Sequence, residues 1–318
     1  MDSCRRSFLK KNVLIGSGLL IASSLDAIAS ASKFINTQSA VASGVTIMYT
    51  NDLLGKVNAT YKDLGGLDAL HSTIQNAEVS ALLFDAGGFL NPHHNLPKQL
   101  KGIDLMNRIG YHAVNMSAAD LSQGLARLEA LLPSINFQLL SCNYRFDNPQ
   151  IQKAVNSYQI LTYGKFKIGV TGVGEECDIA GLRVAEPNQA LQKTAALLKE
   201  VYHCDVVICL AHLGFDEKRA TNNKKLAKSS TQVDLVIGGN AKMGQSQLWV
   251  LKNAQREDVL LSNNYQKGFT VATLRLNYNE SKQRTGLAIK RDIPGLVDRK
   301  ELSKTLLSYR EQVGGSNA

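Results

Sequence analysis

The interpretation of this chain turns on Val45-Thr46-Ile47-Met48-Tyr49-Thr50-Asn51-Asp52-Leu53-Leu54-Gly55. A strand over 45–49 runs straight into Asn-Asp, and a glycine closes the turn. Asp52 is thereby set at the carboxyl end of a buried strand, where open α/β sheets hold their ligand sites.

Outward from this stretch, strands and helices alternate. Residues 64–74 read as a helix with Leu67, Leu70, His71 and Ile74 on one face. Ala81-Leu82-Leu83-Phe84-Asp85 is a buried strand stopped by Ala86-Gly87-Gly88. A short helix over 103–109, a strand over 112–116, a helix over 121–132 and a strand over 137–142 follow. Strands separated by helices argue for βαβ units and a largely parallel sheet. After Asn148-Pro149 the pattern changes, and 158–163 with 166–170 flank Gly164-Lys165 as a hairpin. A long helix over 188–202 leads to strands over 205–210 and 233–237. Strand-like runs over 259–262, 269–276 and 287–292 have no helix between them and are expected to pair antiparallel. Leu302, Leu306, Tyr309 and Val313 mark a last amphipathic helix from about Arg299. The order implies two sheets, or one mixed sheet, in a single domain over 45–313 with a tail at 314–318.

The composition suits a buried core: 44% of the 318 residues are hydrophobic and 20% charged. Residues 1–31 stand apart. Arg5-Arg6-Ser7-Phe8-Leu9-Lys10 precedes the apolar run Val13 to Leu20, and Ala27-Ile28-Ala29 and Ala29-Ser30-Ala31 offer A-x-A cleavage sites. This pattern resembles a twin-arginine-type signal peptide. Its apolar run is too short to span a bilayer permanently; a basic arm or membrane anchor is the alternative. The mature chain is expected in the periplasm or otherwise outside the cytoplasm, with no stable membrane anchor once the signal is removed. Residues 32–44, rich in Ser and Ala, read as a flexible lead-in. The net charge of +9 falls to +7 without residues 1–31. Its cations are scattered without an aromatic–basic stripe, so no nucleic-acid partner is expected. Cys142, Cys177, Cys204 and Cys209 lack C-x-x-C spacing. They read as buried small hydrophobes, a disulfide being the alternative, with Cys204 and Cys209 on opposite faces of one strand.

Seven boxes, in order, resemble the N-terminal catalytic domain of the 5′-nucleotidases and related calcineurin-like metallophosphoesterases. Thr50-Asn51-Asp52-Leu53-Leu54-Gly55 is similar to T-N-D-x-H-G, and Leu64-Gly65-Gly66-Leu67 to the G-G-L-A helix start. Asp85-Ala86-Gly87-Gly88 resembles D-A-G-D, and the segment from Met106 to Val114 resembles M-N-x-L-G-Y-D-A. Leu140-Ser141-Cys142-Asn143, Ala211-His212-Leu213-Gly214 and Ile237-Gly238-Gly239-Asn240 resemble L-S-A-N, S-H-L-G and I-G-G-H. The resemblance implies an α/β fold, a four-layer α-β-β-α sandwich of two mixed sheets with the site at strand ends. It also implies that Arg299 to Val313 is the helix that ends the catalytic domain, with the base-gripping C-terminal domain missing.

The chemistry so implied uses two adjacent divalent ions that polarise phosphoryl oxygens and supply a bound hydroxide. Of the eight ligand or catalytic positions, Asp52 and His212 are kept. Leu54 stands for a His, Gly88 for the bridging Asp, Ala118 and Ala119 for an Asn and a His, and Asn240 and Lys242 for two His. Leu, Gly and Ala offer no donor atom, and two ligands do not satisfy an ion. The expectation is a degenerate dimetal site in a non-catalytic binding or accessory protein. No cofactor is expected; any would be a divalent metal such as Mn, Zn or Mg at Asp52 and His212. The alternative is a divalent-metal-dependent phosphohydrolase with an altered or one-metal site. Lys242 is expected to pair with Asp52 in the ion's stead, and His212 and Asn240 to lie within hydrogen-bonding reach. With Asn143 these residues would form a vestigial pocket for a nucleotide or phosphate-bearing ligand; a separate nucleotidase chain is the other expected partner. His93 and His94 read as solvated, Asp85 as making structural hydrogen bonds in its turn, and Asp120 as a cap of the helix that follows.

Overall fold

Every residue of the strand Gly44–Thr50 is buried, because both of its faces are covered. Val45, Ile47 and Tyr49 enter one apolar cluster and Met48 enters another, the two-residue alternation of a strand. Such a strand needs a packed layer on each side.

The computed structural model describes residues 35–37, 44–77, 79–241 and 244–315. The signal-like segment and Lys242 lie outside the described residues. In chain order the strands begin with β1 (Ile35–Thr37), β2 (Gly44–Thr50), β3 (Leu82–Asp85), β4 (Ala113–Asn115), β5 (Gln138–Leu140), β6 (Tyr144–Phe146), β7 (Val155–Asn156) and β8 (Tyr158–Tyr163). They continue with β9 (Phe166–Gly174), β10 (Leu182–Val184), β11 (Val206–His212), β12 (Leu235–Gly238), β13 (Leu248–Lys252), β14 (Asp258–Ser262), β15 (Val271–Tyr278) and β16 (Arg284–Asp292). One seven-stranded sheet has the order β16-β15-β2-β3-β4-β5-β7 and a second the order β1-β8-β9-β11-β12-β14-β13. Both are mixed. β2, β3, β4, β5 and β7 run parallel beside the antiparallel β15 and β16. β9, β11, β12 and β14 run parallel between the antiparallel neighbours β8 and β13.

The inner faces of the two sheets meet in the cluster holding Val45, Ile47, Tyr49 and Phe84 from one and Ile168, Val170, Ile208 and Leu210 from the other. Each such fully buried side chain contributes roughly 1.5–3 kcal/mol. The outer face of the first sheet packs on α1 (Gly66–Gln75), α2 (Leu96–Ile109), α3 (Ala118–Leu121), α4 (Leu125–Leu131) and α5 (Pro149–Ala154). The outer face of the second packs on α6 (Pro187–Ala196) and α7 (Asn223–Ser229). The four-layer sandwich of two mixed sheets is therefore the observed fold. The last helix, α8 (Leu302–Gly315), closes over Tyr61, Tyr265 and Phe269 through Tyr309 and Val313. Among the described residues no helix is long and apolar enough to cross a membrane.

Several local expectations are corrected. The lead-in contributes an edge strand, since Ile35–Thr37 pairs in parallel with Leu161–Tyr163. The helix over 121–132 is two helices, broken where Gly124 takes φ +84°. The helix ending at Ile109 starts earlier, at Leu96, because Asn95 accepts from the Lys98 amide and Pro97 suits a first turn. The runs over 259–262 and 269–276 do not pair with each other; β14 joins the second sheet, whereas β15 lies between β2 and β16. Cys204 and Cys209 share the outer apolar cluster, because Cys204 precedes β11 and escapes its alternation. The four described cysteines are free. The last helix runs into the expected tail, to Gly315.

Candidate functional site

The parallel strands bring their carboxyl ends to one side of the sandwich, and each end delivers a polar group. Asp52 follows β2, Gly88 lies just beyond β3, Glu175 follows β9, His212 ends β11 and Asn240 lies two residues beyond β12. Asp52 adopts φ +52°, a conformation uncommon outside glycine but open to Asp. It is held there by the backbone: the Asp52 amide donates to the Gly87 carbonyl (2.9 Å), and the Lys267 amide to the Asp52 carbonyl (2.8 Å). The Leu54 and Gly55 amides donate to the Gly88 and Phe89 carbonyls, so 52–55 and 87–89 run side by side.

At the centre, the His212 imidazole lies between two carboxylates. Its Nε2 is 2.9 Å from Asp52 Oδ1 and its Nδ1 is 3.2 Å from Glu175 Oε2. The other Asp52 oxygen, Oδ2, accepts from Asn51 Nδ2 (2.8 Å) and from the Asn240 amide (2.9 Å). The His212 and Asp52 side chains are 3% and 8% exposed, so the carboxylate needs its partners. Burial opposes a charge on His212, but the charge and hydrogen bond of Asp52, then those of Glu175, outweigh it. They hold the imidazole well above its ordinary value. An imidazolium donates from both nitrogens, and here each faces a carboxylate. The row ties the two sheets together, since β2 belongs to one sheet and β9 and β11 to the other.

Glycines make the space. A Cβ on Gly88, at φ +72°, would lie 2.9 Å from His212 Nε2 and 3.0 Å from Asp52 Oδ1. A Cβ on Gly239 would lie 2.5 Å from His212 Cδ2. No side chain at 88 therefore coexists with the Asp52–His212 pair as it stands. The Gly88 amide donates to Ser117 Oγ (3.1 Å) and Asp120 Oδ2 (3.0 Å), and the Leu90 amide to Asp120 Oδ1 (2.8 Å). Asp120 thus holds the 88–90 turn and closes a capping box with Ser117, which is the N-cap of α3. The expectation that Asp120 itself caps the next helix is corrected: it occupies the third helical position. Burial raises its carboxyl, partly offset by the Leu90 and Ser117 hydrogen bonds.

Asp85 makes the structural bonds expected of it, accepting from Thr50 Oγ1 (2.6 Å) and the Gly87 amide (2.9 Å). Full burial pushes it up to about 7 against those bonds. Asn143 is buried but does not reach the histidine. Its amide nitrogen donates to the Gly174 carbonyl (2.8 Å), and its oxygen accepts from the Gly174 amide (3.0 Å). It anchors the strand end that carries Glu175, and Tyr144 Oη adds a bond to the Glu175 carbonyl (2.6 Å). His212 and Asn240 meet on Asp52, and no hydrogen bond joins them directly among the described residues. The expected Lys242 pairing falls outside the described residues. His93 is exposed, while His94 is partly buried with Nδ1 unpartnered among the described residues. Glu175 is the site residue that sequence reasoning missed. Its signal was present: a carboxylate directly after the Gly-ended strand β9, at a strand's carboxyl end as Asp52 is two residues beyond β2. Among the described residues no group of three or more His, Cys, Asp or Glu side chains is placed to hold a metal ion.

No family model matches the chain. A 5′-nucleotidase from Bos taurus is 28% identical over 222 residues, covering 62% of this chain and 38% of that protein. The chain thus spans about two fifths of the curated relatives it matches. Among solved structures, a 5′-nucleotidase precursor from Thermus thermophilus superposes with a TM-score of 0.67 at 19% identity, over 86% of this chain and 59% of that one. A calcineurin-like phosphoesterase from Bacillus subtilis superposes with a TM-score of 0.62 at 16% identity, over 85% of this chain and 98% of that one.

Proposed function

From the premise that this chain belongs to the 5′-nucleotidase and calcineurin-like metallophosphoesterase family, we propose that it is an exported member that binds rather than hydrolyses. In this reading an internal ion row replaces the dimetal centre. The observation that carries it is the placement of His212 between Asp52 and Glu175, with both ring nitrogens engaged and Gly88 packed against the pair. The residues present do not fit two divalent ions. Leu54, Gly88, Ala118 and Ala119 bring no donor, and the one histidine has no lone pair free while it is protonated. A bridging carboxylate at 88 would collide with the row. The imidazolium supplies the positive charge that a cation would have brought to Asp52, without a ligand shell or a nucleophilic water.

The same reading takes the twin-arginine-like N-terminus as an export signal and places the mature chain outside the cytoplasm. It assigns the chain an accessory role, either holding a phosphate-bearing ligand such as a nucleotide in the vestigial pocket beside Asp52 and His212 or partnering a separate nucleotidase chain. The test is metal content by mass spectrometry after incubation with manganese and zinc, together with hydrolysis of bis-(p-nitrophenyl) phosphate and AMP. No bound ion and no turnover above a D52A/H212A variant are expected. One or two ions per chain, or turnover lost in that variant, overturns the proposal in favour of an altered phosphohydrolase. Calorimetry with inorganic phosphate and AMP at low salt tests the ligand half.

A further inference from the structure

A second concavity lies beside this site, between the connection from β11 to α7 and the edge strand β13. It has a volume of about 350 Å³, within the roughly 300–1,000 Å³ of small-molecule sites and at their small end. Its wall is aromatic: the Phe215 and Trp249 rings stack 5.5 Å apart at 29°. Its rim is rich in amides. Asn240, Gln245 and Gln247 line it, and their side chains make no hydrogen bond among the described residues. Among its described residues the charges cancel, with Arg219 and Lys224 set against Asp216 and Glu217. Lys224 is also already engaged, 3.6 Å from Glu217 and 5.2 Å from the Trp249 ring centre.

From these features we propose that the cleft binds a neutral carbohydrate of one or two sugar rings. An aromatic wall accepts the apolar C–H face of a pyranose, and a hydroxyl both donates and accepts. Each primary amide does the same from its two ends, so the half-buried Asn240 and the exposed Gln245 and Gln247 can match several hydroxyls. Balanced lining charges give no attraction to a net ion, and two carboxylates on the wall repel a phosphate. The wall is also preorganised, which lowers the cost of binding. Lys225 Nζ donates to the Glu217 and Arg219 carbonyls, Asn222 Nδ2 to the Asp216 carbonyl, and the Asn223 amide to the Gly214 carbonyl. The proposal does not rest on the state of the Asp52–His212 row.

Trp249 is the only tryptophan in the chain, so intrinsic fluorescence reports on this cleft. The full chain is titrated with maltose, cellobiose and chitobiose, with AMP as comparison, up to about 50 mM, beyond the millimolar range of weak complexes. A saturable change with at least one disaccharide is expected. Gln247→Ala and Arg219→Ala should weaken it at least tenfold with the circular dichroism unchanged. No saturable response to any of the three sugars, a response to AMP alone, or an unaltered constant in Gln247→Ala overturns the assignment.

Discussion

Replacing Gly88 by alanine tests the reading of the ion row most directly. Two costs add. A residue with a Cβ at φ +72° loses about 1–2 kcal/mol relative to glycine. The new methyl would also stand 2.9 Å from His212 Nε2 and 3.0 Å from Asp52 Oδ1. Overpacking of this kind costs about 1–3 kcal/mol. Gly110 provides the control, because it has φ +89° and nothing within 4 Å of a built Cβ. Gly110→Ala therefore carries the conformational cost alone. Urea unfolding at pH 6 should show Gly88→Ala destabilised by about 2–5 kcal/mol and by about 1–3 kcal/mol more than Gly110→Ala. In a His212→Ala background the nearer of the two contacts is gone while that with Asp52 stays, so the cost of Gly88→Ala should fall part of the way to that of the control, a coupling read from the double-mutant cycle. Equal costs for Gly88→Ala and Gly110→Ala, or no change of cost without His212, would refute the reasoning.

The remaining predictions concern buried charge. Asp85 sits near 7 when folded, against an ordinary carboxyl value near 4. Its raised value contributes stability that is full below about 4 and lost as the pH rises through 7. Asp85→Asn keeps a neutral side chain that can serve Thr50 and Gly87, so it should match the wild type at pH 4 and exceed it at pH 8, by at most about 4 kcal/mol; an equal offset at both pH values in urea titrations would refute this. His212 is likewise raised, so the stability from its protonated form is full below about 6.5 and declines as the pH rises through its folded value. Glu175→Gln removes one source of that rise, and the imidazole signals in a nitrogen-15 correlation spectrum should titrate at lower pH; an unmoved titration would show that Glu175 is a bystander.

Local pattern in the sequence showed strands alternating with helices and set Asp52, His212 and Asn240 at or just beyond strand ends, whereas the four layers were implied only by the family resemblance. Glycine punctuation also located the turns at 87–88 and 238–239. Tertiary structure decided which charges meet. Asp52 and His212 are 160 residues apart, and their contact depends on two sheets packing face to face, for which no local pattern carries a register. Glu175 joined the row for the same reason: its partner lies on the neighbouring strand, across a parallel pairing whose register sets His212 beside Gly174. Likewise, β14 and β15 are adjacent in sequence yet enter different sheets, because the inner core needs β14 beside β12 and β15 beside β2. Local propensity specifies a strand; only the packed layers specify its neighbours.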